Sequence, residues 1–138
     1  SKYKTVEACS LIQKITKGNN KRFCFIFHDV DLLPQSEQTL YSCPDKDESP
    51  RHLSVYVDTH KRCIYKEIFG GVSVMHVEHF ASVNGYANVY WGWGGEDDDL
   101  FYRIYAKNLH FYRAENKLGR FKENVYQFLC PLPSPRKN

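Results

Sequence analysis

The run RFCFIFHDV, Arg22 to Val30, places five apolar residues and His28 before an acid, Asp29, and a second acid, Asp31, follows two positions later. Aromatic and β-branched residues packed so closely give the profile of a buried strand. The strand is expected to stop within DVDLLP, where Pro34 forbids a continued ladder and leaves Asp29 and Asp31 at its end. Downstream, HLSVYVD alternates like a half-buried strand, and IFGGVSVM reads as another strand with a glycine break. Helical spacing appears over Val6 to Thr16, ended by KGNN, and HVEHFASVNG reads as a short helix closed by Gly85. From Glu96 to Asn108, Leu100, Phe101, Ile104 and Tyr105 form one helical face, so an acidic block sits at a helix N-terminus. Strand and helix alternation predicts an α/β domain with its functional loops at the carboxyl ends of the strands.

At 138 residues the chain has room for one small domain with one modest core. Its net charge of +3 comes from scattered bases, too diffuse for a nucleic-acid partner but compatible with an anionic small molecule. No apolar run is long enough to span a membrane and no signal peptide opens the sequence, so any anchor is expected outside this segment. Five cysteines, Cys9, Cys24, Cys43, Cys63 and Cys130, contain no CxxC pair, which argues against a zinc ribbon. Disulfides are possible, with at least one thiol left over. His76 and His79 in HVEH lack the HExxH arrangement and an obvious third ligand, and read as ordinary helix residues.

Two acidic sites stand out. In DVD, alternate residues of an extended chain project to one side, so Asp29 and Asp31 can both face a divalent cation carrying a phosphate. The bland reading is a pair of aspartates capping turn amides, which is the better bet for a lone DxD. Its place at the end of an apolar strand favours a nucleotide-sugar site. The second site is YWGWGGEDDD, Tyr90 to Asp99. Helix-start electrostatics accounts for one or two acids at about 0.3–1 kcal/mol each, not for four that repel one another and raise each other's pKa. Glycines let backbone approach a ligand, and indoles offer faces on which sugar rings stack. Together these features outline a carbohydrate site.

In order and at similar intervals, CFIFHDVDLLP, PRHLSV, FGGVS, NGY and YWGWGGEDDD resemble the β-1,4-galactosyltransferase family over about Arg22 to Gly119. The resemblance implies a partial GT-A (Rossmann-like) fold, the C-terminal half of a catalytic domain, with residues 1–119 in that domain and 120–138 a divergent tail. It implies an inverting glycosyltransferase of the Golgi lumen, from a single-pass type II membrane protein. Such an enzyme moves Gal or GalNAc from UDP-Gal or UDP-GalNAc to the 4-hydroxyl of a GlcNAc-terminated acceptor, with Mn²⁺ as cofactor.

By resemblance, Asp31 ligates the metal, while Asp29, Val30, Ile68, Gly71 and Trp93 line the donor. Asp97 is the base, flanked by Glu96 and Asp98, which bind sugar hydroxyls. Tyr65, Trp93, Gly95, Asp97 and Asp98 meet the acceptor. Trp93 rides a mobile loop for which Gly92, Gly94 and Gly95 supply hinge freedom. Cys24 and Cys43 match a family disulfide, which fits an oxidising lumen. Ile68 stands where galactose-transferring members carry tyrosine, favouring UDP-GalNAc. Two departures accompany these matches: Glu123 and Tyr126 replace a metal-binding methionine and histidine. A weakly active or inactive chain is therefore expected, with a catalytically silent donor- or acceptor-binding variant as the alternative and a calcium-binding lectin-like domain as a third.

Overall fold

The computed structural model describes residues 23–60, 65–92 and 94–123. The expected helix over Val6 to Thr16, the residues Cys9, Cys63, Trp93, Tyr126 and Cys130, and the final PLPSPRKN lie outside them. Strand β5 (Val72–His76) organises the rest, because all five of its residues are buried. On one side it pairs antiparallel with β1 (Cys24–His28), Cys24 opposite His76 and His28 opposite Val72. On the other it pairs antiparallel with β3 (Arg51–His52), and β6 (Tyr112–Arg113) extends the sheet parallel to β3. A second sheet has β7 (Arg120–Glu123) at its centre, antiparallel to β2 (Leu32–Pro34) and parallel to β4 (Tyr56–Val57).

Strand periodicity splits the core in two, since successive side chains of β5 point to opposite faces. Val72 and Val74 join Leu32, Leu53, Val57 and Phe121 between the sheets. Met75 faces the other way, packing with Phe69, Val83 and the buried face of helix α2 (Glu96–Ala106), which supplies Leu100, Phe101 and Ile104. The short helix α1 (Val77–Ser82) follows β5 directly, with His76 as its N-cap. It closes as expected through Asn84 and Gly85, both at left-handed φ. At Gly85 the turn lies so close to the Phe80 ring that a Cβ would sit 2.9 Å from Cζ.

The α/β class is as predicted, but four local expectations are corrected. RFCFIFHDV is not a buried strand: β1 forms the edge of its sheet among the described residues, and Ile26 is 40% exposed. Its aromatic rings instead pack along one face, Phe25 and Phe27 against Phe80. Pro34 does not end the β1 ladder; the chain turns earlier, at Asp29–Asp31, and Pro34 closes the separate strand β2 opposite Phe121. HLSVYVD is two strands in two sheets, because Leu53 and Ser54 both donate to Val72 O and Val55 donates back to Leu53 O, kinking the backbone between them. Tyr105 leaves the apolar face of its helix and is 73% exposed, its position rotated away from Leu100 and Ile104.

Beyond the expected boundary at residue 119 the fold continues, since Arg120–Glu123 lies between β2 and β4. Gly119 makes this possible. A Cβ there would sit 2.4 Å from Val55 Cγ2 and 2.5 Å from Leu53 O, so only glycine fits where the chain enters β7 against the kink. The disulfide Cys24–Cys43 forms as the resemblance implied, tying the first residue of β1 to the loop after β2.

Candidate active site

The site assembles where the end of β1, the loop before β5 and the start of α2 meet. After His28 the backbone turns tightly, Leu32 N–H donating to Asp29 O at 3.2 Å. The Asp29 amide donates to Gly71 O at 2.9 Å, which stitches the DVD turn to the FGG loop. Gly71 holds φ +75° and a Cβ would lie 2.4 Å from Ser54 Oγ, so no other residue fits at this junction. Val30 stands at the tip of the turn, 97% exposed.

Gly95 caps α2 at φ 93° with no side-chain cap, leaving the first turn to Glu96, Asp97, Asp98 and Asp99. The structure gives each a separate job, which answers why four acids stand together. Asp99 is structural: it binds Arg103, whose Nε donates at 2.9 Å, and Arg103 also donates to Val83 O at 2.6 Å and to Gly85 O. Asp98 Oδ1 accepts from the Tyr65 hydroxyl at 2.8 Å, joining two residues expected at the acceptor. Burial, then this bond to a carboxylate, pushes the Tyr65 pKa up to about 12. Glu96 Oε2 is buried with no hydrogen-bond partner among the described residues.

Asp97 lies against bare backbone: a Cβ at Gly70 would fall 2.0 Å from its Oδ2. Burial first, then the charges of Glu96, Asp29 and Asp98, raise its pKa to about 6, opposed by a hydrogen bond from Tyr86. Asp29 is raised in turn, by burial and then by Asp31, with Glu96 adding to the effect and His28 opposing it. The carboxylates of the DVD turn and of the α2 start therefore share one field. A carboxyl group whose pKa is pushed up to about 6 by burial and by neighbouring acids is the arrangement that suits general base work.

Residues without an assigned role in the sequence reading hold the intervening loop. His52, fully buried, donates from Nε2 to Gly70 O at 2.8 Å and accepts at Nδ1 from Arg113 Nη1 at 2.6 Å. Arg113 Nη2 binds Lys66 O at 2.6 Å and Ile68 O at 3.0 Å, while Ser54 Oγ reaches Gly70 O at 3.1 Å and accepts from Val72 N–H at 2.8 Å. Every carbonyl so held lies within the stretch that carries Ile68 and Gly71. Burial and the neighbouring guanidinium lower the His52 pKa to about 4, so the imidazole is neutral, as its one-donor, one-acceptor bonding requires. Nothing in the sequence but the string PRHLSV pointed to it.

For the metal the fit is incomplete. Asp31 adjoins Leu32, whose register partner is Glu123, so the acid at the expected methionine position does come next to the DVD turn. Its carboxylate, however, accepts from the Thr59 hydroxyl, and its amide donates to Asp58 Oδ1 at 2.9 Å. No group of three or more His, Cys, Asp or Glu side chains converges as a metal site among the described residues. Trp93 lies outside them; its neighbours Gly92 and Gly94 have left-handed φ and open space where a side chain would be.

The unit has mixed sheets and gathers a strand-end DxD and an acidic helix start around a glycine loop, in keeping with the GT-A fold. A family model described as the N-terminal domain of galactosyltransferase matches residues 51–125. The chain belongs to the β-1,4-galactosyltransferase family. It is 46% identical over 100 residues to human β-1,4-galactosyltransferase 6 and 44% identical over 100 residues to β-1,4-galactosyltransferase 2 of Cricetulus griseus, covering 72% of this chain in each case. The matched part spans 25% and 26% of those relatives. Among solved structures, the catalytic domain of Drosophila β1,4-galactosyltransferase 7 with xylobiose aligns at a TM-score of 0.61 and 33% identity, over 75% of this chain and 44% of that one. A mutant of the same enzyme, in complex with manganese, UDP-Gal and xylobiose, aligns at a TM-score of 0.61 and 32% identity.

Proposed function

We propose that this chain supplies the acceptor-activating side of an inverting transferase. It would move Gal or GalNAc from a UDP-sugar to the 4-hydroxyl of a terminal GlcNAc-type acceptor, in the Golgi lumen. The observation that carries this reading is Asp97, titrating near pH 6 against the bare backbone of Gly70 and flanked by acids placed to accept sugar hydroxyl protons. In the step, the acceptor O–H proton passes to Asp97 as the oxygen attacks the anomeric carbon, and the bond to UDP breaks with its electron pair leaving on the phosphate. Glu96 and the Asp98–Tyr65 pair would hold acceptor hydroxyls in line. Donor selection falls to Ile68 and Gly71 on the loop that His52 and Arg113 brace.

Among the described residues, Asp31 is the one family-matched residue that would hold Mn²⁺, which would offset the charge on the departing UDP phosphate. That shortfall favours a second reading, a catalytically silent donor- or acceptor-binding variant. Turnover separates the two: release of UDP from UDP-Gal or UDP-GalNAc that depends on a GlcNAc-terminated acceptor supports transfer. Acceptor binding without UDP release supports the silent variant.

A further inference from the structure

The loop that carries Tyr65, Ile68 and Gly70 is held by a side chain from another strand. Arg113 lies on β6, opposite His52 of β3 in the parallel register, and its guanidinium reaches three acceptors. Nη1 donates to His52 Nδ1 at 2.6 Å, and Nη2 donates to Lys66 O at 2.6 Å and to Ile68 O at 3.0 Å. The guanidinium carbon also stands 5.2 Å from the centre of the Phe111 ring, which meets Phe101 of α2 edge-on at 5.2 Å. The sheet and the core that seats the Asp97 helix therefore both fix where Arg113 stands. The two carbonyls belong to one turn, closed by Ile68 N–H donating to Tyr65 O at 3.2 Å. At the first residue of that turn the Tyr65 hydroxyl donates to Asp98, and just beyond its last residue Gly70 lies against the Asp97 carboxylate.

We propose that Arg113 is a positioning residue for donor choice: one rigid fork holds both carbonyls of the turn and so fixes where Ile68 stands relative to the acids at the start of α2. The proposal rests on the reading of Ile68 as a donor-pocket residue. A guanidinium delivers its donors in fixed directions, whereas an ammonium is a point charge on a flexible stem. His52 relays the hold, because with Nδ1 accepting from Arg113 its Nε2 donates to Gly70 O at 2.8 Å. Turn and glycine wall are thus set by one chain of bonds. A lysine in place of Arg113 cannot meet His52 and both carbonyls together, and acceptors left without a donor cost the turn its single conformation. Ile68 then no longer shapes one pocket, and two sugars that differ at one substituent are sorted less sharply.

Arg113→Lys in the full chain tests this, because it keeps the charge and the stem. UDP-Gal and UDP-GalNAc competing for one GlcNAc-terminated acceptor give a product ratio that does not depend on how much enzyme is folded, so a merely structural role does not move it. The ratio is expected to fall toward parity by roughly tenfold, the lower end of what pocket shape contributes. Carbon relaxation of the Ile68 δ1 methyl group, followed by NMR, is expected to show greater mobility in the variant than in wild type. Arg113→Gln provides both readouts if Arg113→Lys fails to fold. A product ratio unchanged in the folded variants overturns the proposal, as does an Ile68 methyl as rigid as in wild type. Loss of the fold in both variants overturns it too, since Arg113 then serves the fold and not the loop. Failure of the donor reading looks different: Ile68→Tyr then leaves the product ratio unchanged, while the Ile68 methyl still loosens in Arg113→Lys.

Discussion

At the scale of single residues, Asp97 and Ile68 concentrate the chemistry. With Asp97 near pH 6, the ionised base grows in as pH rises through that value, so turnover climbs between about pH 5 and 7. Asp97→Asn is expected to lower turnover roughly 10²-fold or more and to abolish that limb, while the fold stays intact. If Asp97 served only the helix start, the change would cost about 1 kcal/mol of stability and leave turnover alone. In the proposed reading Ile68 carries the donor choice. Its amide closes a turn onto Tyr65 O at 3.2 Å and its carbonyl is held by Arg113, which fixes the side chain in register with Gly71. An aliphatic side chain offers no hydroxyl to a 2-hydroxyl sugar and leaves space for an acetamido group. A preference for UDP-GalNAc over UDP-Gal is expected, inverted in Ile68→Tyr, at the 1–3 kcal/mol scale that pocket shape provides. Competition between the two donors on one acceptor measures it, and a ratio indifferent to the tyrosine removes Ile68 from donor selection.

Among the elements, the loop before β5 depends on the buried pair His52 and Arg113. His52 is neutral in the fold and its pKa is depressed to about 4, against 6.5 when unfolded. As pH falls from 6.5 toward 4, the unfolded chain takes up a proton that the folded chain refuses, so stability is lost across that window. Asp97 acts with the opposite sign, because its raised pKa lets the folded chain hold a proton more tightly as pH falls through 6. Urea midpoints at pH 7 and 4.5 for wild type and His52→Gln isolate the first effect: the acid-side loss is expected to shrink in the variant. An equal loss in both would show that His52 does not titrate with unfolding. These contacts also show what a linear reading reaches. Helix α2 was legible because its apolar period and acidic start are local. The kink at Leu53–Val55 was not, because two amides share one carbonyl of β5, and β5 is distant in sequence. Asp98 and Tyr65 were named by resemblance and the fold joins them by a hydrogen bond, whereas His52 and Arg113 act through carbonyls that only folding brings near.

Over the whole molecule, the acids divide between the start of α2, proposed to meet the acceptor, and the DVD turn, proposed to hold the metal. Asp97, Asp98 and Glu96 are set by a helix packed on the core, with Tyr65 and Gly70 closing around them. On the metal side, the DVD turn is tied to Gly71 and to β2, and the nearest acid in register, Glu123, is already engaged by Thr59. In the proposed site, a cation would be held by Asp31 and water, with Glu123 engaged elsewhere. Manganese prefers more protein ligands than that, and hard oxygens alone discriminate weakly between Mn²⁺ and Mg²⁺. The chain should therefore bind Mn²⁺ weakly, lose that binding in Asp31→Asn, and let excess Mg²⁺ displace the ion. Titration of Mn²⁺ into the full chain, with the unbound ion counted by its paramagnetic resonance, measures all three. Recruiting Glu123 would require its carboxylate to leave Thr59, so Glu123→Ala distinguishes a site that rearranges around the ion from one that does not. Tight Mn²⁺ binding that survives Glu123→Ala would show that the metal is held by residues other than this turn and strand, and with it the division between the two sides would fall.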